Sequence, residues 1–153
     1  MLRQRLTDEM KTAMRSKDEA TLSTVRMIMS QLKNKDIEAR PGGNATGIDD
    51  AAILTMLQSM IKQRQESIAL YVQGNRPELA DKEKAEIVVI ERFLPKQMSE
   101  ADVQTAIAAL VAETGATSIK DMGKVMAALK ERYAGQLDMG KASAAIKAKL
   151  AGG

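Results

Sequence analysis

The chain has 153 residues and a net charge of +3. This length is enough for one domain or for two small helical lobes. It contains no cysteine and no histidine, which excludes disulfides, thiolate nucleophiles and imidazole acid–base chemistry. No phosphate-binding loop, dinucleotide fingerprint or serine-hydrolase elbow appears. We therefore expect no metal, no cofactor and no catalytic residue.

No apolar run approaches the ~18 residues that a membrane span requires. The first six residues, Met1 to Leu6, lack the long apolar stretch of a signal peptide. These two observations predict a soluble cytoplasmic protein without membrane contact.

Apolar residues recur at helical spacing along the chain, and no segment alternates convincingly at the period of a strand. The pattern predicts an all-α fold with a larger N-terminal lobe of about four helices and a small C-terminal lobe of three helices. The predicted N-terminal lobe covers residues 1–94, a linker covers 95–98, and the C-terminal lobe covers 99–153. The predicted helices span about residues 2–16, 18–37, 49–73, 75–94, 99–113, 118–134 and 138–150.

Breaks between these helices carry ordinary turn chemistry. Residues 40–47 contain Pro, Gly and Asn and predict a loop. Asn75, followed by Pro77 and Glu78, predicts a capped start for the fourth helix. Pro95 disfavours helix at Leu94 and predicts the boundary between the lobes.

Arg64 falls on the apolar stripe of the third predicted helix, which is formed by Ile53, Leu57, Met60, Ile61, Ile68, Tyr71 and Val72. The fourth helix has its own apolar side, with Leu79, Ile87, Ile90 and Leu94. A short connection makes these helices antiparallel neighbours. Two interpretations of Arg64 stay open: its stem packs while its guanidinium reaches solvent, or it forms a structural ion pair with Glu83 or Glu86.

The last forty residues form the basic end, with seven basic and three acidic groups over 114–153. Asp-Met-Gly-Lys occurs there twice, ending at Lys124 and at Lys141. Glycine early in a helix costs up to ~1 kcal/mol relative to alanine. Close backbone packing or a phosphate bound at exposed N–H groups would offset that cost, and both explanations stay open.

The candidate RNA contacts are the cations and glycines of this end: Lys120, Gly123, Lys124, Arg132, Gly140 and Lys141. We expect them together on one exposed side of a three-helix bundle. Tyr133 is the only aromatic residue nearby, so contacts should be made to phosphates rather than to stacked bases.

Several segments resemble, in order, the signatures of GatB/YqeY proteins. They are Leu22–Ile28 continuing to Lys33–Ile37, Ile61–Ile68 with Tyr71, Lys82–Ile87, Phe93–Ser99, Glu113–Ala116 and Lys120–Met126. The resemblance runs over nearly the whole chain. It implies an all-helical protein whose small C-terminal lobe is similar to the tail of the B subunit of the tRNA-dependent amidotransferase, which contacts tRNA.

The resemblance implies a non-catalytic accessory module that binds tRNA and works with amidotransferase or aminoacyl-tRNA synthetase subunits. It also carries over a carbon–nitrogen ligase activity with glutamine as amido-N donor. The amidotransferase's kinase and amidase centres lie outside the tail, so we expect no such activity from this chain alone. The alternative is a protein-interaction adaptor that uses a methionine-rich surface to bind those subunits.

Overall fold

The computed structural model describes residues 1–43 and 45–152, and all regular structure in these ranges is helical, which confirms the all-α class. Two short 3-10 turns cover Arg40–Gly42 and Ile119–Asp121. Asn44 of the predicted loop and Gly153 of the predicted C-terminal lobe lie outside the described residues. The helices are α1 (Leu2–Ser16), α2 (Glu19–Ala39), α3 (Asp50–Gln73), α4 (Pro77–Glu91), α5 (Glu100–Thr114), α6 (Met122–Tyr133) and α7 (Met139–Ala151).

The helices form two compact units, Met1–Pro95 with α1 to α4 and Lys96–Gly153 with α5 to α7. Two residues of the predicted linker are bound to the second unit. The Met98 N–H donates to the Gln136 carbonyl at 2.8 Å, and the Gln97 side chain donates to the Gly135 carbonyl at 2.7 Å. The chain after Pro95 is therefore part of the C-terminal unit rather than a free connection.

The core of the N-terminal unit is aliphatic, as the low aromatic content requires, with Phe93 as its one ring. Buried residues on α3 end at Arg64, so its last nine residues contribute none to the core. Val72, which the stripe places inward, is 61% exposed. The core consists of Leu2, Leu6, Val25, Ile28, Leu32, Ile53, Met56, Leu57, Met60, Val89, Ile90 and Phe93.

The turn between α3 and α4 differs from its prediction. Asn75 does not cap α4 but takes a left-handed conformation with φ of 55°, which Asn tolerates better than most residues. This turn lets the Arg76 N–H reach the Tyr71 carbonyl at 2.8 Å. α4 then begins at Pro77, where the missing N–H costs nothing.

A three-part contact, which we call the Arg3 latch, ties α1, α2 and the segment before α3 together. Arg3 donates to both carboxylate oxygens of Asp36, at 2.7 and 2.8 Å, and to the Ile48 carbonyl at 2.9 Å. The Ile48 N–H donates back to Asp36 at 2.9 Å. Because Asp36 has the guanidinium and this N–H as donors, its charged form is stabilised in the folded protein.

The Arg3 latch predicts a specific pH dependence. Hydrogen bonding to Arg3 holds the pKa of Asp36 below its ordinary value of 3.8. A depressed folded-state pKa contributes stability that is complete above that ordinary value and is lost as pH falls through the folded pKa. Urea unfolding at stepped pH should show wild type losing stability below about pH 4 more steeply than Asp36→Asn. Identical pH dependence of the two proteins would contradict this role.

The C-terminal unit is a three-helix bundle with its own core. Ser99 and Asp102 form both bonds of a capping box at the start of α5, and Gly115 ends α5 with φ of 68°. None of the described helices is both long and apolar enough to cross a bilayer. The buried core consists of Ile107, Leu110, Val125, Leu129, Leu137, Ala142, Ile146 and Leu150.

Candidate nucleic-acid interface

Lysines that form no ion pair are the main surface feature of the C-terminal unit. Over residues 114–152 of this unit, six lysines are exposed and have no carboxylate of the described residues within 4.0 Å. Lysine ammonium groups in this state remain available to an external anion. The six are Lys120, Lys124, Lys130, Lys141, Lys147 and Lys149.

The packing of α6 and α7 places four of these lysines at one end of the hairpin. Residues 134–138 connect the two helices, and α7 also contacts the 3-10 turn that precedes α6. The helices therefore run antiparallel. The end of α7, with Lys147 and Lys149, lies beside the start of α6, with Lys120 and Lys124. We call these four residues the lysine end.

Lys141, at the start of α7, lies at the other end of the hairpin. α6 has 12 residues, so about 18 Å separates the two Met-Gly-Lys turns. The expectation that both turns lie together is therefore not met. Antiparallel packing places the starts of consecutive helices at opposite ends, whatever their sequence similarity.

Gly123 lies on an open surface within α6. A Cβ atom built there would meet nothing within 4 Å, so close backbone packing does not explain the glycine. Nearby, Asp121 accepts from the Thr117 and Ser118 N–H groups, at 2.9 and 3.3 Å. These backbone donors lower the pKa of Asp121, so a stabilised carboxylate accompanies the lysines at this helix start.

The start of α7 argues against phosphate contact at Gly140. The Asp138 carboxylate accepts from the Gly140 N–H at 2.8 Å and from the Lys141 N–H at 3.2 Å. A negative charge already occupies the place where an anion would use those N–H groups. Glu100 and Asp138 also line a cleft of about 550 Å³ beside Lys141, so this end carries mixed charge.

Arg132 forms an ion pair within the bundle and is not a free cation. Its two terminal nitrogens donate to the two oxygens of Glu113 on α5, at 2.6 and 2.7 Å. Hydrogen bonding to this carboxylate raises the pKa of Arg132, and the reciprocal bond lowers the pKa of Glu113. A bidentate pair of this kind positions α6 against α5. Arg132 is therefore removed from the candidate contacts.

In the N-terminal unit, Arg64 lies inside the packing of α2, α3 and α4. Its side chain is 10% exposed, and its Nε donates to Glu86 at 2.9 Å, with Glu83 at 4.0 Å. Nη1 donates to the Met60 carbonyl at 3.1 Å, and Nη2 lies against the sulfur of Met27. The structure thus brings Arg64, Glu83 and Glu86 together, and the Arg64 side chain is largely buried rather than extended into solvent.

Similar proteins have been described in fungi. The chain is 31% identical over 110 residues to "Altered inheritance of mitochondria protein 41, mitochondrial" of Lachancea thermotolerans, covering 71% of this chain and 57% of that protein. For the protein of the same name from Vanderwaltozyma polyspora, identity is 35% over 89 residues, with 58% and 46% covered. The chain spans about half the length of these two curated relatives.

The names of these relatives overturn the expectation of a cytoplasmic protein. The similar proteins from Lachancea and Vanderwaltozyma are both named as mitochondrial. The lack of an apolar leader was a poor guide to location, because mitochondrial addresses are amphipathic and arginine-rich rather than apolar.

Two further matches extend over most of the chain. The protein of the same name from Pyrenophora tritici-repentis is 33% identical over 135 residues, covering 84% of this chain and 71% of that protein. A family model described as "Yqey-like protein" matches residues 3–150, which includes both compact units. The chain therefore belongs to the YqeY-like protein family.

Proposed function

We propose that this protein is a non-catalytic accessory module that binds tRNA through the lysine end of its C-terminal unit. The observation that carries the proposal is the grouping of Lys120, Lys124, Lys147 and Lys149 at one end of the α6–α7 hairpin, where all four are exposed and none has a carboxylate of the described residues within 4.0 Å. Gly123 leaves open space beside them. The resemblance of this unit to the amidotransferase tail supports tRNA as the polyanion.

The contacts are electrostatic and directed to the RNA backbone. Lysines supply mobile point charges that neutralise phosphates, and Tyr133 is the one aromatic residue at the basic end. Shape and phosphate spacing would therefore select tRNA more than base identity does. Lys141 contributes less, because the Asp138 carboxylate accepts from its N–H and Glu100 lines the same cleft.

Binding should weaken in a lysine-end variant. Lys120→Gln combined with Lys124→Gln should lower affinity for total tRNA about tenfold at low salt and reduce the slope of log affinity against log salt by about one to two. Electrophoretic shifts at two or more salt concentrations measure both quantities. Lys141→Gln alone should have a smaller effect.

Lys62→Gln combined with Lys82→Gln is the matched control. It removes two exposed, unpaired lysines from the N-terminal unit, so it makes the same change in net charge. If both double variants weakened tRNA binding equally, the loss of affinity would reflect net charge alone and not the lysine end. Absence of tRNA binding by wild type at low salt would refute the proposed function.

The non-catalytic part of the proposal has its own test. A glutamine-dependent ligase needs a centre that releases ammonia from glutamine, and the sequence has no thiol, no imidazole and no Ser/Lys amidase pattern. Purified protein should release no ammonia from glutamine, with or without charged tRNA. Glutaminase activity that follows the protein through purification would contradict it.

The methionine-rich surface on which the adaptor alternative depended is not present in the described part of the chain. Of the methionines, Met56 and Met60 are buried and most others pack partly against the two cores, while Met1 and Met14 are the exposed ones among the described residues. What remains for an adaptor is the end of α3, where Leu70 is 67% exposed. Binding to purified amidotransferase or synthetase subunits after RNase treatment would favour the adaptor. Binding that RNase abolishes would favour the tRNA module.

A further inference from the structure

We infer that the N-terminal unit carries a second tRNA-contacting surface, a line of cations along α2, and this inference rests on the proposed function. The surface, here called the α2 stripe, is formed by Arg26, Lys33 and Arg40, with Ser30 and Ile37 between them. All five residues are exposed. Arg26, Lys33 and Ile37 lie in the segments Leu22–Ile28 and Lys33–Ile37, which resemble the family and have no part in the lysine end.

The spacing places the three cations on one line. They are seven residues apart, so each is turned only about 20° from the last and rises about 10.5 Å along the axis. Arg40 follows the last residue of α2, but its φ of −59° and ψ of −45° continue the helix. The α2 stripe is therefore about 21 Å long.

The acidic groups near the α2 stripe form their hydrogen bonds and ion pairs with residues outside the stripe. Asp36 accepts both nitrogens of Arg3 and the Ile48 N–H, and Glu38 pairs with Lys35 at 3.7 Å. Within the described parts of the chain, Arg26, Lys33 and Arg40 have no carboxylate at ion-pair distance. The line thus keeps three cations without a direct ion pair, although Asp36 lies close enough to Arg40 to feel its charge.

Another exposed helix face shows what an ordinary solvated surface looks like in this protein. On α4, Asp81 and Lys84 pair at 3.9 Å, with Lys82 between them. Interspersed signs of this kind maintain solubility without a strong local field. A line of one sign, about 21 Å long, instead matches a partner with regularly repeated negative charge.

A nucleic-acid backbone fits this surface better than a membrane does. A helix that lies on a lipid surface needs a broad exposed apolar face. The apolar face of α2 is instead buried in the core, through Val25, Ile28 and Leu32. Ile37 is the only large apolar residue of the stripe, 47% exposed. The serine hydroxyl between the cations can also donate to a phosphate oxygen.

The test compares two charge-matched triple variants, and the lysine-end double variant, with wild type. The stripe variant is Arg26→Gln, Lys33→Gln and Arg40→Gln. The control variant removes three exposed, unpaired lysines from other helices of the same unit: Lys11→Gln, Lys62→Gln and Lys82→Gln. The lysine-end double variant is measured beside them, and circular dichroism checks that every variant is folded.

The stripe variant should bind tRNA about tenfold or more weakly at low salt, with the salt slope reduced by about two to three. Measured at 0.1 M salt, the control variant should stay within about threefold of wild type, because charges more than ~10 Å from the bound RNA are then screened. A stripe variant that binds like the control variant would overturn the inference.

The outcomes separate this inference from the proposed function. Weakening by the lysine-end variant alone leaves the proposed function standing and removes the stripe. Weakening by the stripe variant alone supports the stripe and moves the proposed contact away from the C-terminal unit. No salt-dependent tRNA binding by wild type ends both. Binding to anionic phospholipid vesicles that the stripe variant loses, with tRNA binding unchanged, would overturn RNA as the partner.

Discussion

Replacing Arg64 with methionine should lower the free energy of unfolding by about 3 kcal/mol. The side chain of Arg64 is 10% exposed and that of Glu86 is 14% exposed, so removing the cation leaves a largely buried carboxylate without its partner. Methionine restores most of the lost packing volume, so the measured loss reports mainly the stranded charge. Urea unfolding followed by circular dichroism measures the difference.

Two further variants isolate the electrostatic part of this loss. Lys62→Met, on the same helix but exposed, should change stability by less than about 0.5 kcal/mol. Replacing Arg64 and Glu86 together by apolar residues should be less destabilising than Arg64→Met alone, because no charge is then left unpaired. An Arg64→Met protein as stable as wild type would show that the ion pair contributes nothing.

Replacing Gly47 with alanine should destabilise the N-terminal unit by about 2 kcal/mol. Gly47 has φ of 98°, and a Cβ atom there would lie 2.6 Å from Nη2 of Arg3 and 2.8 Å from Oδ1 of Asp36. The new methyl group therefore meets both a strained backbone and the atoms of the Arg3 latch. Because Arg3 is held by Asp36 and Ile48, its guanidinium cannot move aside without breaking those bonds.

Gly42→Ala is the matched control for Gly47. It lies five residues earlier, where a Cβ atom would meet nothing within 4 Å, so this change should be neutral or slightly stabilising. Thermal unfolding of both variants checks the pair. Equal melting temperatures for Gly47→Ala and Gly42→Ala would mean that the close approach around Gly47 imposes no strain.

Local signals predicted most of the helices. Asp18, Asp49, Ser99 and Asp138 each accept a backbone N–H as caps at predicted starts, and these signals act over three or four residues. Asn75 was the exception: its residue type suits both a cap and a left-handed turn, and the tight hairpin selected the turn.

The face that α4 buries was harder to predict. Its predicted stripe included Ile87 and Leu94, which are partly buried, whereas Val89 and Phe93 are buried beside Ile90. Apolar residues lie on more than one side of α4, so periodicity alone leaves its rotation open. Packing against α2 and α3 decides it.

By itself the sequence determined the helices, their caps and the basic character of the last forty residues, because these properties depend on neighbours within one or two turns. The tertiary structure decided which charges are available. Arg132 is paired with Glu113, nineteen residues away, and the second Met-Gly-Lys turn is covered by the carboxylate of Asp138. Antiparallel packing also separated two turns of similar sequence and brought Lys147 and Lys149 to the side of Lys120, a proximity that only the folded chain creates.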